Sequence, residues 1–363
     1  MKIIYILILL TGLNLMAISQ DINDVPLPHM QIEHGRKEIH IPDIMGYKTL
    51  KCDFHMHTIF SDGVVWPEVR VQEAWEEGLD AIALTDHIEN QPSKPYVGGD
   101  HNASYEIAKT KAENMGIILI RGGEITRDMP PGHLNALFLD DVNPLDTETP
   151  FQSVEAAAKQ GAFIEWNHPG WKAQQPDSCM WWPEHEELYQ KGWINGIEVF
   201  NEKEWYPVAL DWCMDKNVAP MGNSDIHDVN AHYYDVVSGH RPMTLVFSTE
   251  RNAAALKTAL FDKRTVAYFD NKLAGKAKYL EALFQASLEI TIVNKTSDNQ
   301  VIYAIKNNSD ITYHLITEDG NALNLLANRT QLLRLPVGIK ELKVTVSNLY
   351  IRSGESLVTI IKF

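Results

Sequence analysis

The sequence predicts an α/β protein: a parallel β/α barrel, closed or nearly closed, followed by a small all-β sandwich. Three observations lead there. From Thr49 to about residue 270, short apolar runs alternate with stretches of helical period, the pattern of parallel β/α architecture. About seven such strands recur, a number that suits a barrel better than an open sheet. After roughly residue 285 the helical period gives way to short β-rich runs separated by Asn, Asp, Gly and Ser, the texture of a small antiparallel sandwich.

The chain opens on MKIIYILILLTGLNLMAISQD. Lys2, the apolar run Ile3 to Leu10, and the small residues Ala17 and Ser19 before Gln20 predict a secretory signal over residues 1–19. That apolar run is too short to span a bilayer, so no transmembrane anchor is expected after cleavage. The mature protein is expected to be secreted, in the periplasm. Residues 20–48 are polar and proline-bearing and read as an N-terminal extension.

Residues 49–270 carry the barrel pattern. LKCDFHMH reads as a strand, then WPEVRVQEAWEEG as a helix with Pro67 in its first turn, Val71, Ala74 and Trp75 on one face, and Gly78 at its end. LDAIALTDH is the next strand, SYEIAKTKAENMG a helix ending at Gly116, and IILIRGGEI a strand. FQSVEAAAKQG is helical and AFIEWNH extended. GIEVFN, VAPMGNSDIH and MTLVFS are three further strands, and TERNAAALKTALF closes the series as a helix. Residues 271–286, with GKAKYLEALFQAS, predict a linker helix. Residues 287–363 hold LEITIVN, VIYAIKN, TYHLI, QLLRLP, KELKVTVS and LVTIIKF, an Ig-like sandwich pattern without acid–histidine clusters.

The formal charge of −16 disfavours a phosphate-backbone partner, so no specific nucleic-acid binding is expected. It leaves room for a small phosphate ester, because bound cations reverse the field locally. The three cysteines, Cys52, Cys179 and Cys213, are too scattered for a disulfide frame or a thiolate metal site, so any metal should be held by nitrogen and oxygen.

Metal-type residues fall where strands end. His55 and His57 close the first strand, and i, i+2 alternation points both imidazoles to one side. Asp62 follows in the loop; His87 ends the second strand and Glu124 the third; His133 opens HLNALFL after a short loop. His168 ends AFIEWNH, and Asp225 and His227 repeat the i, i+2 spacing in NSDIH. Strand ends of one polarity gather on one face of a parallel barrel, where active sites form. A lone histidine there is ordinarily a hydrogen-bonded core residue. Nine ionisable groups collected together are too costly to bury without cations. Six imidazoles and three carboxylates exceed the needs of one ion, so two or three divalent ions are expected, zinc, manganese or iron rather than calcium. Glu124 can offer one oxygen to each of two ions.

HMHTIFSDG, TDH, GGE, GH, NHP and SDIH, in that order, resemble the polymerase and histidinol phosphatase (PHP) family over roughly residues 49–270. The resemblance implies a distorted (β/α)7 barrel with a trinuclear metal centre. By that pattern His55, His57, Glu124 and Asp225 hold one ion; Glu124, His133 and His168 a second; Asp62, His87 and His227 a third. The leader and the β-rich tail resemble the secreted bacterial phosphodiesterases of the family.

The expected activity is hydrolysis of a small phosphate ester, a diester before a monoester, with Glu124, His168 and Asp225 acting through a hydroxide activated between the ions. Arg127, Arg241 and Lys172 are candidates to grip the phosphate. Glu198, Asn201, Asp86 and Asn223 are candidates to orient the ligands, and Trp171 and Trp182 to line an apolar pocket. Two rival readings are an amidohydrolase-type metalloenzyme acting on an amide, lactone or phosphotriester, and an exported metal-binding protein without turnover.

Overall fold

The computed structural model describes residues 35–363; the expected leader lies outside the described residues. Residues 36–363 form one compact unit. Its first strands and helices follow the predicted order: β1 (Lys48–Asp53), α1 (Pro67–Glu76), β2 (Ala81–Leu84), α2 (Ala103–Met115), β3 (Ile118–Ile125), β4 (Leu134–Leu137), α3 (Pro150–Lys159), β5 (Phe163–Trp166), α4 (Pro183–Gln190), β6 (Gly196–Asn201), β7 (Glu204–Trp205), α5 (Pro207–Lys216) and β8 (Ala219–Asn223). The local signals work as chemistry requires. Pro67 starts α1, Gly116 ends α2 in the left-handed region, and Thr149 with Gln152 forms a reciprocal capping box on α3.

After β8 come a short helix, α6 (Asn230–Tyr233), then β9 (Met243–Ser248), α7 (Ala253–Phe261), β10 (Thr265–Phe269), β11 (Lys272–Gly275) and α8 (Ala277–Ser287). The final strands are β12 (Leu288–Lys295), β13 (Gln300–Asn307), β14 (Tyr313–Thr317), β15 (Ala322–Leu325), β16 (Thr330–Pro336), β17 (Glu341–Arg352) and β18 (Glu355–Lys362).

The strands from β1 to β11, with part of the tail, share one large mixed sheet. β1, β2 and β3 pair in parallel, as do β5, β6 and β8. The uniformly parallel expectation is corrected at two places. HLNALFL forms β4, antiparallel to both β3 and β5, and MTLVFS forms β9, antiparallel to β1 and to β10. Only the β3–β4 reversal follows a short connection, from Ile125 to Leu134; β4 and β5 are separated by α3, and β9 and β10 by α7, so those antiparallel pairings are made between distant segments. Beyond β1 and β8 the chain segments are joined by backbone bonds: Asp225 N–H donates to the His55 carbonyl at 2.9 Å, and His57 N–H to the Ile226 carbonyl at 3.1 Å.

β2, β4, β5, β6, β8 and β9 are buried along their whole length, as strands covered on both faces must be. Cys52, Phe54, Ala81, Ile120, Phe163 and Met221 from different strands meet Leu256 and Leu260 of α7 in one apolar cluster. The linker expected at 271–286 begins as β11, a hairpin with β10, before α8 starts. Leu280, Leu283 and Phe284 of α8 pack with Tyr313, Leu315, Val346 and Leu349 of the tail in a continuous core. The tail is all β. β12, β13 and β16 form one sheet, while β17 pairs in parallel with β11 and so extends the large one. All three cysteines are free thiols. Among the described residues no helix is long and apolar enough to cross a membrane.

Candidate metal centre

The nine metal-type residues converge. His55 and His57 leave β1 with ring centroids 5.1 Å apart, and His57 lies 4.0 Å from His227 and 4.3 Å from His87. Glu124, fully buried on β3, stands in the middle. Its Oε1 lies 3.1 Å from His133 Nδ1, 3.4 Å from His55 Nε2 and 3.7 Å from His168 Nε2; its Oε2 lies 2.6 Å from His87 Nδ1 and 3.5 Å from His57 Nε2. The two oxygens thus face different imidazoles, as a bridging carboxylate must. Asp225 Oδ1 is 3.0 Å from His57 Nε2 and 3.1 Å from His55 Nε2, and Asp62 Oδ1 is 3.2 Å from His227 Nε2 and 3.4 Å from His87 Nε2.

Potential ligand atoms gather in three groups: His57, Asp62, His87 and His227; His55, His57 and Asp225; His87, Glu124 and His133. The grouping departs from the family pattern in detail, since His57 and His87 each belong to two groups. His168 belongs to none of the three, although its Nε2 lies 3.9 Å from Asp225 Oδ2.

A test of fit is whether these atoms satisfy one another. They do not. His55 Nε2, Asp62 Oδ1 and Glu124 Oε2 are buried without a hydrogen-bond partner, although nitrogen and oxygen atoms stand close by. Orphaned buried polar atoms are rare and call for an unseen partner. Ligands about 2.1 Å from a tetrahedral ion lie roughly 3.4 Å from each other, close to most of the spacings above. The donor set therefore fits divalent ions held by imidazole and carboxylate.

The backbone is shaped around this cluster. His168 and Asp225 sit in the left-handed region, at φ 29° and 51°, where non-glycine residues are strained. Gly63 of the SDG turn folds onto His57: a Cβ there would stand 2.6 Å from the His57 carbonyl carbon. Arg70 on α1, wholly buried, donates to the carbonyls of His57, Ile226 and Asp228, at 2.9, 3.0 and 2.7 Å, and so ties the two ligand-bearing loops together.

A second layer orients the ligands. Glu198 Oε1 is 2.9 Å from His55 Nδ1, while its Oε2 accepts from the His168 N–H at 2.6 Å and from Asn201 at 2.8 Å. Asn223 donates to Glu198 at 2.9 Å, and Asp86 accepts from Thr58 and Ser61 in the loop after His57. Of the four residues expected in this role, Glu198 touches His55 and His168 directly and Asn201 lies 3.4 Å from Asp225 Oδ2. Asn223 reaches Glu198 and Asp86 reaches the loop after His57, neither side chain bonding a metal-type residue among the described residues. Sequence reasoning missed Arg70, Asn135, Asn167 and Glu165. Asn167 donates to Glu124 Oε1 at 2.8 Å; Glu165 accepts from Asn135 and Asn223. Burial and the neighbouring Glu198 push the Glu165 carboxyl well above the usual carboxylate range. A glutamate flanked by Ile164 and Trp166 in a wholly apolar strand was the available signal.

The phosphate-gripping expectations need correction. Arg241 does not reach the site: its guanidinium is buried between Glu77, at 2.9 Å, and Asp53, at 3.2 Å. Arg127, on the loop after β3, turns to Glu89 in the segment after β2, 2.7 Å away, and to the Thr147 carbonyl in the segment before α3. Lys172 is solvent-exposed and does not line the cavity. Trp182 donates to Gln175 instead of facing the site, whereas Trp171 does line it.

The cavity over the centre holds about 340 Å³. Asp62, His87, His133, His168, Asp225 and His227 form part of its wall; Asn90, Thr126, Trp171, Asn201, Glu202, Glu204 and Tyr206 form the rest. Gly170 lets Tyr206 pack close, since a Cβ at that position would meet its ring at 2.7 Å. The tail braces this wall: Tyr350 of β17 lies 5.5 Å from Trp205 of the β6–β7 hairpin.

Burial pulls the imidazoles toward neutrality and the carboxylates oppose it. For His57, burial and the nearby His87 and His227 win, and its pKa falls to about 3. For His87, burial is outweighed by Glu124 and Asp62 together, which carry it up to about 10. His87 therefore holds a proton at neutral pH in the metal-free protein, and an incoming ion must displace it. Metal affinity is expected to rise with pH between about 6 and 9. Calorimetry in buffers of different ionisation enthalpy should show protons released on binding; a pH-independent affinity without proton release would contradict this assignment.

A family model described as the PHP domain matches residues 53–192. That span includes His55 through His168 and stops short of Asp225 and His227. A solved structure from Bacteroides vulgatus, described as a two-domain protein containing a predicted PHP-like metal-dependent phosphoesterase, is 43% identical, covers 91% of this chain and 100% of its own, and superposes with a TM-score of 0.87. A 5'-3' exoribonuclease from Haemophilus influenzae is 33% identical over 98 residues, which is 26% of this chain. The chain matches only 31% of the length of that curated relative.

Proposed function

This chain belongs to the PHP family, and from that premise we propose that it is a metal-dependent phosphoesterase, more narrowly a phosphodiesterase acting on small esters at a centre of two or three divalent ions. The observation that carries the reading is the set of unpartnered buried atoms, His55 Nε2, Asp62 Oδ1 and Glu124 Oε2, pointing into one cluster beneath a cavity of about 340 Å³. A space of that size takes a small molecule. The likeness to the Bacteroides vulgatus protein, described as containing a predicted PHP-like metal-dependent phosphoesterase, supports the same chemistry.

His55, His57, Glu124 and Asp225 would hold one ion, Glu124, His133 and His168 a second, and Asp62, His87 and His227 a third. When bound, such ions supply Lewis acidity toward phosphoryl oxygens and a water acidic enough to ionise near neutral pH. The protein's own residues supply the rest. Glu198 holds the His55 ring by Nδ1 and leaves Nε2 turned to the cluster. Asn167 pins one oxygen of Glu124, so that carboxylate is fixed in advance. Thr126 Oγ1, 2.5 Å from His87 Nδ1, does the same for that ring at the cavity wall. The mature chain acts outside the cytoplasm in this proposal, on the strength of the leader alone.

An amidohydrolase-type centre bridged by a modified lysine is less well supported, since no lysine is among the described residues lining the cavity. The test is release of p-nitrophenol by manganese- or zinc-loaded protein from bis(p-nitrophenyl) phosphate, p-nitrophenyl phosphate and p-nitrophenyl acetate. Turnover fastest on the diester is expected. Turnover of the acetate alone would favour the amidohydrolase reading, and silence on all three a protein that binds metal without catalysis.

A further inference from the structure

The cavity wall beyond the nine metal-type residues is uncharged or acidic. No lysine or arginine is among the described residues lining it, whereas Glu202 and Glu204 are. Lys203, between those two glutamates, sends its ammonium over the Tyr233 ring, 3.8 Å from the centroid, and lines a neighbouring groove. A second phosphate or a carboxylate on the substrate would find nothing there to neutralise it and two negative charges to repel it.

Glu202 is held in place at some cost. It begins the two-residue turn between β6 and β7 with φ 48°, a conformation that glycine or asparagine adopts more readily and that costs other residues about 1–2 kcal/mol. Its Oε2 accepts from the Tyr233 hydroxyl at 2.7 Å, and Glu204 accepts from the Tyr206 hydroxyl. Both carboxylates are therefore oriented rather than waving in solvent. Trp171, 42% exposed, lines the same cavity with its ring 5.3 Å from His168 and 5.8 Å from His133. An accessible indole lining the same cavity as two carboxylates offers a recognition surface for an ammonium group, attracted by the ring face and by the charge.

We infer that the substrate is a zwitterionic phosphodiester whose alcohol carries an ammonium group, of the ethanolamine or choline class, with that group against Glu202, Glu204 and Trp171. This rests on the phosphoesterase reading and refines its substrate class. The phosphate takes its counter-charge from the metal centre, and the ammonium takes its own from the glutamates. Hydrolysis adds one water: its oxygen bonds to phosphorus, the bond from phosphorus to one alcohol oxygen breaks, and the water's proton ends on that oxygen. The products are a phosphomonoester and an alcohol.

The test compares the metal-loaded full chain on glycerophosphocholine and glycerophosphoethanolamine against glycerophosphoglycerol, followed by phosphorus NMR, with phosphatidylcholine vesicles as an arm that separates a lipid headgroup from a soluble diester. The expected kcat/KM is at least tenfold higher for the ammonium diesters. Glu202→Gln should bring that ratio within about threefold of unity, and Trp171→Ala should lower it as well. Separately, choline should bind the metal-free protein, read by quenching of tryptophan fluorescence, and lose at least fivefold in affinity in Glu202→Gln. A ratio near or below one, or a ratio that both variants leave intact, overturns the inference while the phosphoesterase reading stands. Failure to hydrolyse these diesters and bis(p-nitrophenyl) phosphate alike removes both.

Discussion

The Glu124→Gln protein is expected to fold normally and to lose most of its bound metal and nearly all hydrolysis. Glutamine keeps the shape of the side chain but removes the charge that the two oxygens share between His55, His133 and His168 on one side and His57 and His87 on the other. Losing an outer residue that merely orients a metal ligand costs on the order of 10–100-fold in affinity or activity. A central carboxylate facing five imidazoles should cost more, beyond about 100-fold in kcat/KM on a phosphodiester. Metal content by elemental analysis and initial rates at saturating manganese separate the two contributions. Wild-type metal content with wild-type turnover would exclude Glu124 from the centre.

Arg241→Ala is expected to give the largest loss of stability of any single substitution at the site's base. Arg241 is wholly buried; Glu77 holds it at 2.9 Å by two nitrogens and Asp53 at 3.2 Å by the third. Asp53 in turn accepts from Ser224 N–H at 3.0 Å and lies beneath His55. Removing one member of a buried charge cluster leaves the others uncompensated and costs roughly 3–5 kcal/mol. For a chain of this length that is a fall in Tm on the order of 5 °C. Urea unfolding of the metal-free protein should show it as a lower midpoint at unchanged slope. A change under about 1 kcal/mol would mean that the pairing contributes little beyond a surface ion pair.

These two residues mark what the sequence reveals and what it hides. Glu124 was readable because its position at a strand end, together with the i, i+2 pairs His55–His57 and Asp225–His227, has a geometric consequence: strand ends of one polarity share a face. Arg241 was misread because a guanidinium on a long stem gives no sign of its direction, and Glu77, which captures it, lies far off in the chain at the end of α1. Strand polarity was hidden for a similar reason. Alternation of apolar residues is the same in parallel and antiparallel strands, so the reversals at β4 and β9 left no mark on it. β10, the short run TVAYF, was missed between a helix and the presumed linker; its partners β9 and β11 define it. The tail read correctly as β-rich, but the pairing of β17 with β11 depends on contacts between distant segments that periodicity does not carry.

The account stands on several cations sharing one pocket, and anomalous diffraction from crystals of the manganese- or zinc-loaded protein tests that most directly. Two or three anomalous peaks are predicted, each within ligand distance of His55, His57, Asp62, His87, Glu124, His133, His168, Asp225 or His227, with Glu124 touching two of them. Loaded crystals with no peak in that cluster, or with metal bound elsewhere on the molecule, would contradict it.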